Sequence, residues 1–287
     1  MLTTREPSPD FEASVLELAR AVADHDDIDP LNEAARLALR TPGAAVHWLV
    51  EDGASPAGYA QWHVGDTTGL VAVHPAHRRQ GVGRTLLDRL AAHAGTELAV
   101  WAFGDLPAAR ALAAAAGLTP VRGLHQMSRP LADLETPRFA DGIVVRSYDP
   151  ADLVTLHAMN AEAFAGHPEQ GRLTIGDLRQ RMAEPWFDPA GLLLAFAGDE
   201  PLGFHWTKRE TATVGEVYVL GVVPAAAGRG LGTALLWAGL HRLRDAGCHD
   251  VELFVDADNV PAVQLYEGTD FAIVRTDTLY RPQGRTA

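Results

Sequence analysis

The strongest constraint on this 287-residue chain is that it contains an approximate copy of itself. Leu70-Val71-Ala72-Val73-His74-Pro75 aligns with Val219-Leu220-Gly221-Val222-Val223-Pro224, and at the same offset of 149 residues Gly81, Gly83, Leu86 and Leu87 meet Gly230, Gly232, Leu235 and Leu236. Upstream, Pro56-Ala57-Gly58-Tyr59 resembles Pro201-Leu202-Gly203-Phe204. Downstream, Asp105-Leu106-Pro107-Ala108-Ala109 resembles Asn259-Val260-Pro261-Ala262-Val263. Three matches in one order mark a duplicated unit. The expected organisation is two domains of one fold, residues 1–133 and 142–287, each able to bury its own core. The division falls in 129–142, which has two prolines and no sustained periodicity.

Within each copy the local pattern repeats. Val46 to Glu51 and Leu192 to Ala197 are short apolar runs followed by turn signals, so each predicts the first strand of a hairpin. Further strands are expected to end at Pro75 and Pro224. Leu86, Leu87 and Leu90, and Leu235, Leu236, Leu240 and Leu243, carry helical spacing. Strands at 98–102 and 250–255 follow, then helices opening at Pro107 and Pro261, where proline suits the first turn. Two helices, 151–165 and 174–183, precede the hairpin of the second copy.

Composition narrows the class. With 47% apolar and 21% charged residues and no apolar run long enough to span a bilayer, the chain is expected to be globular and without a membrane partner. Its first ten residues carry two prolines and no apolar core, unlike a secretory signal, so a cytoplasmic protein is expected. A net charge of −13 argues against a nucleic-acid partner, which demands a basic surface. The single cysteine, Cys248, leaves no disulfide and no cysteine-based metal site, and no metal is expected.

In both copies a strand runs into a basic, glycine-containing loop and then directly into a helix. Arg78-Arg79-Gln80-Gly81-Val82-Gly83-Arg84 is one such junction, and Ala227-Gly228-Arg229-Gly230-Leu231-Gly232-Thr233 is the other. Glycine lets the backbone approach a ligand closely, and the free amides of a helix N-terminus attract an anion, so a pyrophosphate is the natural guest. Neither the Gly-Lys-Ser/Thr phosphate loop nor a Gly-x-Gly-x-x-Gly dinucleotide fingerprint is present.

These loops resemble the Arg/Gln-x-x-Gly-x-Gly/Ala motif of the GNAT superfamily of acetyl-CoA-dependent N-acetyltransferases, and Asn259 to Tyr266 resembles its Asn-x-x-Ala-x-x-x-Tyr motif. Longer segments, Ala163 to Gly171, Trp186 to Pro189, Gly203 to Lys208 and Gly215 to Val222, are similar to the mycothiol synthase family, a tandem-domain branch of that superfamily. The resemblance implies an α/β (α+β) protein of two tandem acyl-CoA N-acyltransferase domains, each a mixed, mostly antiparallel sheet flanked by helices. It implies acetyl-CoA as co-substrate and a small-molecule amine acceptor, and the chain is expected to be a monomer. The pantetheine arm is expected against the free edge of a splayed strand at Val71, Ala72 and Val73 and at Leu220, Gly221 and Val222, with Gly221 either a bulge that opens the strand or a packing glycine. The remaining cofactor contacts are expected from the two loops, counted from Arg79 and from Ala227, and from Asn259, Val260, Pro261, Ala262, Val263 and Gln264.

Acetylation of an amine requires loss of a proton from the ammonium and delivery of one to the departing thiolate. The resemblance assigns these tasks to Glu216 as base and Tyr266 as acid, and assigns acceptor binding to Glu33, Glu169, Lys208, Glu216 and Phe254. Phe254 stands where the family is expected to carry a tyrosine, Ala227 where it has Arg or Gln, and Asp270 where Gly precedes Phe271. The duplication supplies a control. Glu216 aligns with Thr67, and Tyr266 with Leu112 or a neighbouring alanine, so chemistry is expected only in the second copy, with the first a non-catalytic site for acyl-CoA. Acetylation of another amine, or a purely acyl-CoA-binding regulatory role, remains open on the residues alone.

Overall fold

The computed structural model describes residues 2–53, 55–167 and 170–283. The chain forms two compact units, one comprising Met1–His125, Asp256–Asp258 and Arg275–Ala287, the other Gln126–Val255 and Asn259–Val274. Both are therefore discontinuous, unlike the linear division expected at 129–142. The reason lies in two long strands. β6 (Leu118–Pro130) begins in the first unit and ends in the second, and β12 (Ala272–Pro282) does the reverse.

In the first unit β1 (Leu2–Arg5), β2 (Ala45–Asp52), β3 (Ser55–His63) and β4 (Thr68–Val73) pair antiparallel in that order, and β5 (Val100–Ala102) joins β4 in parallel. The C-terminal part of β12 completes this sheet, Thr278 and Tyr280 pairing with Ala102 and Val100. The longest helix, α1 (Pro9–Asp26), has its hydroxyl cap in Ser8, which accepts from the Phe11 amide, and a proline at its first position. It packs Phe11, Val15, Leu18 and Val22 on one side of the sheet against Leu49, Tyr59 and Leu70. A short helix, α2 (Glu33–Ala38), follows it. On the other side α3 (Val82–Ala94) buries Leu86, Leu87 and Leu90 against Trp48, Ala60 and Trp62. A fourth helix, α4 (Pro107–Ala115), adds Ala113 to that core.

The second unit repeats the plan. β7 (Ile143–Ser147), β8 (Leu192–Ala197), β9 (Glu200–Arg209) and β10 (Val214–Val222) are antiparallel neighbours, and β11 (Asp250–Asp256) lies parallel to β10. Helices α5 (Leu153–Ala163) and α6 (Ile175–Met182) bury Leu156, Met159 and Leu178 with Phe204 and Trp206. A second core joins Leu236, Leu240 and Leu243 of α7 (Leu231–Asp245) to Val217, Val251 and Leu253, and Tyr266 of α8 (Val260–Glu267) to Phe271. Among the described residues no helix is long and apolar enough to cross a membrane.

Candidate active site

The hairpin of β9 and β10 is fixed by Thr211, whose hydroxyl accepts hydrogen bonds from the Thr213 and Val214 amides at 3.2 and 3.0 Å, a turn device available to short hydroxyl side chains. Its register places Glu216 opposite Lys208, and the ammonium lies 3.5 Å from the Glu216 carboxylate. The same ammonium is 2.8 Å from Glu210 and sits 5.1 Å and 5.7 Å from the ring centroids of Trp186 and Tyr218, so carboxylates and aromatic faces hold the charge together. Arg181 donates from Nε to the Tyr218 hydroxyl at 3.0 Å. Glu216 is 9% exposed, which places its carboxylate where water screens it weakly.

Regular alternation would put residues 216, 218 and 220 on one face. The structure inserts one extra residue in β10 between Val217 and Val219, and this bulge changes the phase. Tyr218 stays beside Lys208 with Glu216, whereas Leu220 pairs with His205 and turns to the face of Val217, toward α7. Gly221 is therefore not the bulge. It pairs with Phe204, and a Cβ there would lie 2.7 Å from Phe204 Cε1 and 3.1 Å from Phe164 Cε2, so close ring packing requires the glycine.

Two residues after Glu216 begins the opening. Parallel pairing joins Val214–Val217 to Asp250–Leu253 and stops, although β10 continues to Val222 and β11 to Asp256. Leu220, Gly221 and Val222 thus keep β9 on one side and present an unpaired edge on the other. Phe254, 41% exposed, is the β11 residue just beyond the last pair. Farther along, Ala227 closes a tight turn and the chain enters α7 through Gly228 and Gly230, at φ 73° and 77°. Gly230 is the cap residue and supplies no side-chain acceptor, leaving the first-turn amides available to an anion. Arg229 is exposed in this loop, beside Leu231, Gly232 and Thr233 of the first turn.

Tyr266 is 7% exposed and its ring meets Phe271 edge-on at 5.7 Å. Burial pushes its hydroxyl well above the ordinary tyrosine value, so the group keeps its proton and can donate it. Asn259 caps α8, accepting from the Ala262 amide at 3.3 Å, ahead of Val260, Pro261, Val263 and Gln264. Asp270, in place of glycine, takes the left-handed φ of 64°, and Arg129 lies 3.8 Å from its carboxylate. Glu33 is the first residue of α2 in the other unit, following its cap Asn32. Glu169 lies outside the described residues.

Residues without an assigned role in the sequence are Trp186 and Tyr218, whose rings face Lys208, Arg181, which donates to the Tyr218 hydroxyl, and Glu252, the register partner of Glu216 across β10 and β11. Glu252 stands two positions before Phe254, the strand spacing that shares a face, and this was the available signal.

The first copy has the same opening without the same groups. β4 pairs with β5 only through Gly69 and Leu70, leaving Val71, Ala72 and Val73 with an open edge. A cleft of about 530 Å³ lies there, lined by Val71, Ala72, Val73, Arg79, Gly81, Gly83, Arg84 and Leu112. β4 runs without a bulge, so strand pairing matches the Lys208–Glu216 pair to His63 and Thr68, and no carboxylate occupies the position of Glu216. Arg78, expected to strengthen this loop, is instead clamped by Asp26 through two hydrogen bonds of 2.8 and 2.6 Å, and the guanidinium holds that carboxyl below its usual range. Gln80 is turned back onto the Ala76 carbonyl, and Arg84 onto Asp88.

Residues 157–271 match the acetyltransferase (GNAT) family and residues 43–117 match a GNAT acetyltransferase domain. Solved structures agree on architecture: a GCN5-related N-acetyltransferase from Sphaerobacter thermophilus (TM-score 0.73, 23% identity, 97% of this chain and 94% of that one) and a tandem GNAT protein from the clavulanic acid biosynthesis pathway (TM-score 0.73, 18% identity, 98% of each). Fold and site define a tandem GNAT acetyltransferase. Mycothiol acetyltransferases from Thermomonospora curvata (47% identity, 94% of this chain, 93% of the relative), Nocardia farcinica (47%, 94% and 94%) and Streptomyces coelicolor (44%, 98% and 94%) align end to end with it. The chain belongs to the mycothiol acetyltransferase family.

Proposed function

We propose that the second unit transfers the acetyl group of acetyl-CoA to the cysteinyl amine of a cysteinyl-glucosaminyl-inositol, giving mycothiol and CoA. The observation that carries the location of the chemistry is the half-buried row at Glu216, one step before β10 parts from β11, with no carboxylate at the matching place in the first copy.

The open edge at Leu220, Gly221 and Val222 offers backbone donors and acceptors to the pantetheine amides, which bind as an added strand, while the amides at Gly230 to Thr233 and the side chain of Arg229 face the pyrophosphate. Glu216 takes a proton from the acceptor ammonium, directly or through water. The freed nitrogen attacks the thioester carbon, the new C–N bond forms and the C–S bond breaks; Tyr266 gives its proton to the departing thiolate, and the second proton lost by the nitrogen returns through water to the Tyr266 oxygen, leaving a neutral amide and the CoA thiol. Lys208 and Phe254 contact the acceptor. The first unit binds acyl-CoA without turning it over. The protein works as a cytoplasmic monomer on small molecules, without nucleic acid or membrane, and its charge of −13 supports the exclusion of nucleic acid.

The test is product analysis. Wild-type protein with acetyl-CoA and the cysteinylated pseudodisaccharide should release one CoA thiol for each N-acetylated product found by mass spectrometry. Faster turnover of a polyamine or aminoglycoside would change the acceptor, and binding of acetyl-CoA without thiol release toward any amine would replace the enzyme by a binding module.

A further inference from the structure

Lys208, Glu216, Glu252 and Gln126 form one row across the second unit's sheet. Lys208 pairs with Glu216 between β9 and β10, Glu216 pairs with Glu252 between β10 and β11, and Gln126 of β6 donates to the Glu252 carboxylate at 2.5 Å. Directly paired residues of neighbouring strands stand about 4.8 Å apart and point to the same face. The flanking residues agree: Val217, Val251 and Leu253 enter the core beneath α7, so Glu216 and Glu252 both occupy the opposite face. The row lies one pair before the strands part, and Phe254, two positions after Glu252 on the same face, lies just beyond the last pair.

Glu216 and Glu252 stand side by side beside the opening and repel one another, while Lys208 is shared between Glu216 and Glu210. A cation placed between Glu216 and Glu252 removes that repulsion. The bond from Gln126 engages Glu252 Oε2 and fixes the direction of the carboxyl group. The acceptor, on the function proposed above, arrives as an ammonium ion. We propose that Glu252 is a specificity-determining residue that holds the acceptor ammonium jointly with Glu216. Glu216 then accepts one proton while Glu252 keeps hydrogen bonding to the nitrogen and restrains it beside the opening. The site thereby selects cationic amines over neutral alcohols of the same shape.

The experiment compares wild type with Glu252→Gln, which keeps the shape and can still accept from Gln126. Two ligands are used: the cysteinyl amine acceptor, and an otherwise identical neutral analogue with hydroxyl in place of the amine, measured as a competitive inhibitor. Loss of a charge-assisted contact is expected to raise the acceptor KM roughly 10- to 100-fold, leave the acetyl-CoA KM unchanged, and leave inhibition by the neutral analogue unchanged or stronger. Glu252→Asp should fall between the two proteins. Unchanged acceptor KM, or equal weakening of amine and neutral analogue, overturns the proposal. Should Glu252→Gln not fold, Glu252→Asp carries the same comparison of the two ligands. Turnover of the cysteinyl amine by wild type tests the function itself, so its failure is distinguishable from failure of the Glu252 assignment; in that event the same variants are scored on whichever amine the wild type acetylates.

Discussion

Replacing Tyr266 with phenylalanine separates chemistry from packing. The ring stays against Phe271 in the core, and the hydroxyl makes no hydrogen bond among the described residues, so its removal leaves no orphaned partner. Stability should therefore change by less than about 1 kcal/mol, and the acetyl-CoA KM should stay near wild type. Turnover should behave differently, because a positioned general acid typically contributes about 100- to 10,000-fold. The assay is single-turnover acetyl transfer followed by thiol release, alongside thermal unfolding. Burial raises the hydroxyl's proton affinity, so wild-type turnover should show no loss from Tyr266 ionisation up to the ordinary tyrosine range near pH 10. Unchanged single-turnover rates in Tyr266→Phe would refute the acid assignment, and a large loss of stability would show that the packing argument is wrong.

Other outcomes follow from the same geometry. Gly232→Leu should reduce turnover far more than Gly83→Leu, because both side chains enter an opening at the start of a helix but only one opening holds Glu216; equal losses would put chemistry in both units. Gly221→Ala should cost about 1–3 kcal/mol by overpacking against Phe204 and Phe164, read as a fall in denaturation midpoint, and a midpoint unchanged within error would contradict the packing role. His205 is fully buried, its Nδ1 bonded to the Leu235 carbonyl at 2.8 Å, and burial lowers its pKa from 6.5 to about 4. A depressed folded value means stability is present above pH 6.5 and lost as pH falls toward 4, on the order of 3 kcal/mol from this group. Urea midpoints that do not fall between pH 7 and pH 4 would oppose it.

The duplication was legible because glycine spacing and leucine periodicity survive in both copies, and the helices at 82–94 and 231–245 lie where that spacing put them. The helix at 9–26 carried the same signal in Phe11, Val15, Leu18 and Val22, and no element was assigned there. The discontinuity of the units was not legible: β12 ends in the first unit through pairing with β5, and strand pairing over such a distance leaves no local pattern. At the site, Glu216 was reached by resemblance and by the contrast with Thr67. The bulge at Tyr218 was missed because an inserted residue is visible only against its partner strand, and it reversed the expected orientation of Leu220. Arg78 illustrates the opposite error. A loop arginine suggests an anion site, yet its charge is already satisfied by Asp26, fifty-two residues earlier in the chain.

The central claim, that acetyl transfer takes place at Glu216 of the second unit, is tested most directly by the pH dependence of kcat for Glu216→Gln. Shape and hydrogen bonding are kept while the base is lost, so kcat near neutral pH should fall about 100- to 10,000-fold. The deficit should shrink as pH rises, because an α-amine with a reference pKa of about 7.7–8.0 then arrives already deprotonated. A profile that parallels wild type at near-wild-type rates would contradict the claim and leave Glu216 as a carboxylate that only binds the acceptor.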